Sequence, residues 1–293
     1  MANLKEIRVR ITSVTTTRQI TSAMKMVSAA KLKKAQDAII QLRPYAQKLS
    51  EIVTNISGSL DSGDDNIYGK ERADKNILIV LVTSNRGLCG AFNSNAIKTA
   101  INAAHFKYAQ QFQQGRVSFL CVGKKGYDFL KGRNYKILAS YNEILDKPNF
   151  QKVTPVAEEI MQLYVSGKFD KVILVFNKFK NAAVQQLMEE QFLPIAKPEK
   201  KDKKEAITDY IYEPTKEFIL QELIPRMLKT EFYKAVLDSH ASEHGARMTA
   251  MHKATDNATD MIKQLTLTYN KARQASITGE ILEIVGGAEA LKG

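Results

Sequence analysis

Apolar residues recur every three or four positions at both ends of the chain and gather into short unbroken runs in the middle. Leu4, Ile7, Ile11 and Val14 open the first stripe, in a segment with one proline, Pro44, and no glycine before Gly58. This predicts a long amphipathic helix over residues 1–58. Across Thr15, Thr16 and Thr17 the stripe loses its phase, then resumes at Ile20, Met24 and Val27 and continues through Ile39, Leu49 and Ile56. A drifting stripe predicts a partner helix wound around this one. The C-terminal pattern is stricter: from Leu237 through His244, Met251, Ala258 and Leu265 to Ser276 the spacing alternates four and three, the a and d positions of a coiled coil. At about 1.5 Å per residue that stretch is about 60 Å long, more than the width of an ordinary domain. Its seam of Ala, Met and Thr suits a slim rod. Pro225 must start, kink or interrupt the helix that carries it.

Between the rods, β-branched runs at 76–83, 117–122 and 172–176 are separated by helical stretches near 94–112 and 155–165. Strands alternating with helices predict a parallel α/β sheet. Thr154–Pro155 reads as a helix start and Gly167 as a helix stop. The expected organisation is an N-terminal shaft helix over 1–58, a polar linker over 59–75, an α/β domain over 76–205 and a C-terminal shaft helix over 206–293.

Charge changes this picture by its distribution. The net charge is +12, with ten basic and three acidic residues in 1–58 but ten basic and twelve acidic in 206–293. Such a division suits terminal segments lying against each other, with surplus positive charge left for acidic partners. A hydrophobic fraction of 44% is enough for a real core, and no apolar run approaches membrane-spanning length. Residues 1–6 lack an apolar signal core, so the chain is expected to stay where it is made. Cys89 and Cys121 stand apart with no CxxC, which fits a reducing cytoplasm and gives no support to a thiol-built zinc site.

Several motifs offer chemistry. Gly87-Leu88-Cys89-Gly90 follows the first strand, where phosphate loops occur, but matches neither GxxxxGK[ST] nor GxGxxG. A tight turn with a packed thiol at Cys89 is the competing reading. Gly123-Lys124-Lys125-Gly126 resembles the GxxG that clamps nucleic-acid backbone, though here it leaves a strand, and aromatic residues are not interleaved with the basic ones. His240, Glu243 and His244 fit the HxxEH spacing of inverted zinc peptidases. Against this, His244 falls on the heptad seam and no third ligand is indicated. Asp256 and Asp260 read as a solvated helix face.

Three blocks resemble the gamma subunit of F-type ATP synthases. They are residues 11–31, with Gln19-Ile20-Thr21-Ser22-Ala23-Met24-Lys25; Arg86-Gly87-Leu88-Cys89-Gly90; and 242–285, with Tyr269-Asn270-Lys271-Ala272-Arg273-Gln274-Ala275-Ser276-Ile277-Thr278. The resemblance implies a long antiparallel coiled coil of the terminal helices, forming a shaft, with the inserted parallel-sheet α/β domain at its foot. It implies a central-stalk rotor that is not itself catalytic, with no cofactor, no nucleic acid and no direct small-molecule substrate. Its partners would be the alpha and beta subunits, an epsilon subunit and the membrane c-ring, on the cytoplasmic face of a bacterial inner membrane. By the same resemblance Met24, Arg247, Arg273, Gln274, Thr278, Glu280 and Glu283 would meet the beta subunits. Tyr210, Tyr212 and Glu213 would dock on the ring. Asn85 departs from the family's usual Asp, and Leu282 stands where some relatives have Thr.

Overall fold

The computed structural model describes residues 4–58, 67–70, 72–182, 184–195 and 215–291. Contacts divide the chain into two units, Met1–Ser28 with Met248–Gly293, and Ala29–Arg247. Helices α1 (Leu4–Gly58) and α6 (Lys216–Ala290) each contribute to both.

The first unit is a helix pair. Arg8 Nη2 donates to the Tyr269 hydroxyl at 2.8 Å, Thr255 Oγ1 donates to Thr21 Oγ1 at 2.9 Å, and Lys25 Nζ lies 3.3 Å from His252 Nδ1. Numbers rise on one helix as they fall on the other, so the pair is antiparallel. On α1 the seam differs from the one expected. Thr21 and Ser28 are buried, whereas Ile20 and Val27 are 55% and 58% exposed. Ile7, Val14, Thr21, Ser28 and Ala35 hold one heptad phase straight through the threonine-rich stretch. The hydroxyls permit it: Thr21 meets Thr255, and Ser28 Oγ donates back to the Met24 carbonyl at 2.7 Å. A buried hydroxyl that finds a partner is tolerated inside, so a stripe read by hydrophobicity alone slides one residue aside. On α6 the seam is as expected as far as Ala272, with Met251 and Ala258 buried and Ile262, Leu265, Tyr269 and Ala272 half-buried, while Ser276 is exposed.

The second unit holds a five-stranded sheet in the order β3-β2-β1-β4-β5. Strands β1 (Ile77–Val82) and β2 (Val117–Val122) are buried at every position, which is why they read as continuous apolar runs. They pair in parallel with each other, and β1 pairs in parallel with β4 (Lys171–Phe179). The edges are β3 (Ile137–Tyr141), parallel to β2, and β5 (Gln185–Leu193), antiparallel to β4. The parallel strands expected from the sequence are thus present, and an antiparallel edge makes the sheet mixed. Helices cover both faces. Leu78, Val80 and Val82 pack with Val53 and Ile56 of α1, Ile160 of α5 (Phe150–Val165) and Phe232 of α6. Ile77, Ile79 and Leu81 pack with Ala96 and Ala100 of α2 (Phe92–Asn102) and Leu130 of α4 (Lys124–Lys131).

Three local expectations shift. Helix α5 starts at Phe150, where the Asn149 side chain accepts from the Lys152 N–H at 2.9 Å, so Pro155 lies inside the helix instead of opening it. Its stop at Gly167 is as expected, with φ +74°. The stretch expected as one helix is α2, a π-helical turn at Ala103–Lys107 and α3 (Ala109–Gln113). Helix α6 passes through Pro225, which removes one backbone hydrogen bond. Burial of Ile224, Met227, Leu228 and Phe232 around that point offsets the loss.

Candidate functional site

The turns at the ends of β1 and β2 account for both glycine motifs. After β1 the chain uses left-handed conformations at Leu88 (φ 62°) and Gly90 (φ 58°). Cys89 beneath them is buried, with Asn93 Nδ2 donating to its sulfur at 3.2 Å. Burial pushes the thiol up, opposite to the shift an activated nucleophile needs. After β2, Gly123 has φ +111°, and a Cβ there would stand 2.3 Å from the Thr83 carbonyl oxygen. Gly126 donates its N–H to Thr83 Oγ1 at 2.9 Å. Both glycines of the GxxG are therefore taken up by close packing on the end of β1. Asn85 ties the end of β1 to the ends of β3 and β2: its Nδ2 donates to the Asn142 carbonyl at 2.8 Å and its Oδ1 accepts from the Lys124 N–H at 3.1 Å. A carboxylate could only accept, so the amide is what lets one side chain serve both turns.

The HxxEH residues lie on α6 beside Arg247. The Arg247 guanidinium is 2.7 Å from Glu243, its Nη2 donates to the Arg86 carbonyl at 3.1 Å, and its Nε donates to the Gly87 carbonyl at 3.3 Å. Its Nη1 lies 3.3 Å from His244 Nδ1, and His244 Nε2 lies 3.2 Å from His240 Nε2. A cation can only donate, so His244 Nδ1 accepts and its proton sits on Nε2, pointing at His240. Burial pulls His240 down to about 4 and His244 to about 3, so both imidazoles are neutral at ordinary pH. Burial pushes the Glu243 carboxyl up while Arg247 pulls it back. The base that a zinc peptidase would need is thus held in an ion pair, and no cluster of three ligating side chains occurs among the described residues.

The other predicted contact residues lie along the helix pair. Met24 is half-buried; Arg273, Gln274, Thr278, Glu280 and Glu283 are exposed, with Ser276 Oγ 3.3 Å from Glu280 Oε1. Arg247 is only 7% exposed. The antiparallel register set by Arg8 and Tyr269 puts Leu4, the first described residue, opposite Arg273. Beyond that point α6 shows Ile281, Leu282, Ile284 and Val285 to solvent at 54%, 65%, 71% and 58%. A run of exposed apolar side chains marks a surface made for contact. Ile20 and Val27, displaced from the seam, are exposed much further back along the pair. Tyr210, Tyr212 and Glu213 lie outside the described residues. Sequence reading passed over Asp238, which is 1% exposed, although an acid directly after the seam residue Leu237 is a signal of it.

Comparison with known proteins agrees with this geometry along the whole chain. A family model described as ATP synthase matches residues 3–291. The ATP synthase gamma chain of Flavobacterium johnsoniae is 56% identical over the full length of both chains, and that of Chlorobaculum tepidum is 44% identical over the full length of both. Among solved structures, a chain of the Euglena gracilis mitochondrial ATP synthase (OSCP/F1/c-ring) superimposes with a TM-score of 0.69 at 22% identity, covering 98% of this chain and 94% of its own. One from the Tetrahymena thermophila central stalk/c-ring assembly gives 0.58 at 25% identity, covering 80% and 99%. With an antiparallel helix pair, a mixed α/β sheet and full-length identity of this order, the chain belongs to the ATP synthase gamma chain family.

Proposed function

We propose that this chain is the central-stalk rotor of an F-type ATP synthase, turning within a hexamer of alpha and beta subunits and docked at its foot, with an epsilon subunit, on the membrane ring. The observation that carries this reading is the helix pair whose far end exposes an apolar run next to Arg273 and Gln274. The chain is a transmitter: nucleotide chemistry belongs to the hexamer. An asymmetric shaft in a nearly threefold ring presents a different face to each beta subunit, so each rotary angle biases a different catalytic site. No described helix is long and apolar enough to cross a membrane; the proposed position is peripheral, on the cytoplasmic face. Arg247 enters as an exchangeable partner: Glu243 holds it within the chain, and a beta carboxylate must compete for it.

Reconstitution with alpha and beta subunits tests the reading. Arg273→Leu and Gln274→Leu should assemble normally and keep full helicity while changing steady-state ATP turnover, because the first removes a charge-assisted contact worth about 1.5–3 kcal/mol if desolvated and the second a polar contact beside it. Parental rates of hydrolysis and synthesis in both variants would return the pair to the solvated residues of the rod.

At the other end, Tyr210, Tyr212 and Glu213 are proposed to meet polar loops of the ring. Replacing all three with Ala should weaken proton pumping driven by ATP hydrolysis while sparing hydrolysis itself. Unchanged pumping in membrane vesicles would show that they are surface filler.

A further inference from the structure

A cavity of about 500 Å³ opens within the Ala29–Arg247 unit, between the sheet face of β4 and β5 and the helices α1 and α6. Alternation along β4 turns Leu174 and Phe176 toward it, and the helical repeat along α6 turns Met227, Glu231, Ala235 and Asp238 toward it. Val53 and Phe192 complete an apolar wall. Its size is within the range of small-molecule sites, which are mostly apolar with a few placed polar groups.

One of those groups keeps an open acceptor atom, although Asp238 also accepts a backbone hydrogen bond from Phe179. Asp238 Oδ1 has no hydrogen bond although its side chain is 2% exposed, and the nearest cation, Arg43, stands 3.9 Å away, beyond hydrogen-bond reach. A buried acceptor left open costs about 1–3 kcal/mol, so such an atom asks for a donor. The surroundings select the kind of donor. Glu190 and Glu231 also line the cavity but are exposed, as is Lys178, and Lys234 is half-buried, so the Asp238 carboxylate is the buried charge of the cavity. We propose that this cavity is a binding site for a small organic amine, with its ammonium group on Asp238 and its hydrocarbon body along Leu174, Phe176 and Phe192. An anion meets the like charge of buried Asp238 there, and a neutral polar molecule gains nothing from it.

Three probes with one hydrocarbon body, n-hexylamine, 1-hexanol and hexanoate, are titrated into the full chain and followed by saturation-transfer NMR and thermal shift. Expected is saturable binding of n-hexylamine, about tenfold tighter than hexanoate, which is about 1.4 kcal/mol. Asp238→Asn, which keeps the shape and removes the charge, should weaken the amine about tenfold and leave 1-hexanol unchanged. Ala235→Phe, which fills the cavity, should abolish binding of all three. If that variant does not fold, the head-group order and Asp238→Asn still decide. Equal or tighter binding of hexanoate, amine binding unaffected by Asp238→Asn, or no saturable binding of any probe would overturn the proposal and leave the cavity to water bridging Asp238 and Arg43.

Discussion

Replacing Gly123 with Ala is expected to lower the stability of the α/β unit by about 3 kcal/mol or more. Two penalties add. A non-glycine residue at φ +111° is held in a sparsely populated region, at about 1–3 kcal/mol. The new Cβ also meets Thr83 at 2.3 Å from its carbonyl oxygen and 2.9 Å from its Oγ1, and overpacking of that kind costs about 1–3 kcal/mol. Relief by a side-chain rotation is closed off, because the nearest atom is backbone at the end of a fully buried central strand. Gly115→Ala is the control: its φ is +68°, but nothing lies within 4 Å of the added Cβ, so only the conformational penalty of about 1–2 kcal/mol remains. Urea unfolding, read by amide exchange of the β1 and β2 N–H groups, should separate the two variants. Equal losses would mean that the close approach to Thr83 relaxes at no cost.

This contrast also shows what a sequence holds. Gly123 and Gly126 were visible as a motif, yet the partner that explains them, Thr83, is forty residues away and is brought near only by β-sheet pairing. Strands β1, β2 and β4 could be read because burial on both faces makes their central positions mostly apolar. The edges β3 and β5 could not: a half-buried position admits Ser140 and exposed ones admit Glu189 and Gln191, and the runs lose their hydrophobic signature. The α6 seam was legible since its inner positions are apolar or small. The α1 seam was misread by one residue where Thr21 and Ser28 carry it. For the candidate contacts, spacing alone made Arg273 and Gln274 ordinary surface residues, and their significance came from a resemblance running through a whole block. His240, Glu243 and His244 are the opposite case, a sharp catalytic spacing that the heptad seam already counted against and in which Arg247 holds Glu243 and His244 in a structural arrangement.

Arg247→Met should destabilise the Ala29–Arg247 unit by about 3–5 kcal/mol at neutral pH, the cost of removing one partner from a buried ion pair. The side chains of Arg247 and Glu243 are 9% and 10% exposed, so water does little to compensate the carboxylate left behind. Burial already pushes Glu243 up, and losing the guanidinium removes the largest opposing influence. A folded-state pKa raised above the unfolded one contributes stability at low pH that is lost as pH rises through the folded value. The deficit of Arg247→Met should therefore be largest at neutral pH and narrow as the solution is acidified toward the ordinary carboxylate range, where Glu243 becomes neutral. Adding Glu243→Gln removes the charge by substitution and should recover most of the loss at pH 7. Recovery stops short of complete, because Arg247 also donates to the Arg86 and Gly87 carbonyls, and those bonds stay broken in the double variant. Amide exchange in the 84–90 turn reads that second role: it should speed up in both variants, while global stability returns only in the double one. A single variant as stable as the parent, or a double variant no better than the single, would mean that the pair contributes little and that Arg247 is free to leave Glu243 for another carboxylate.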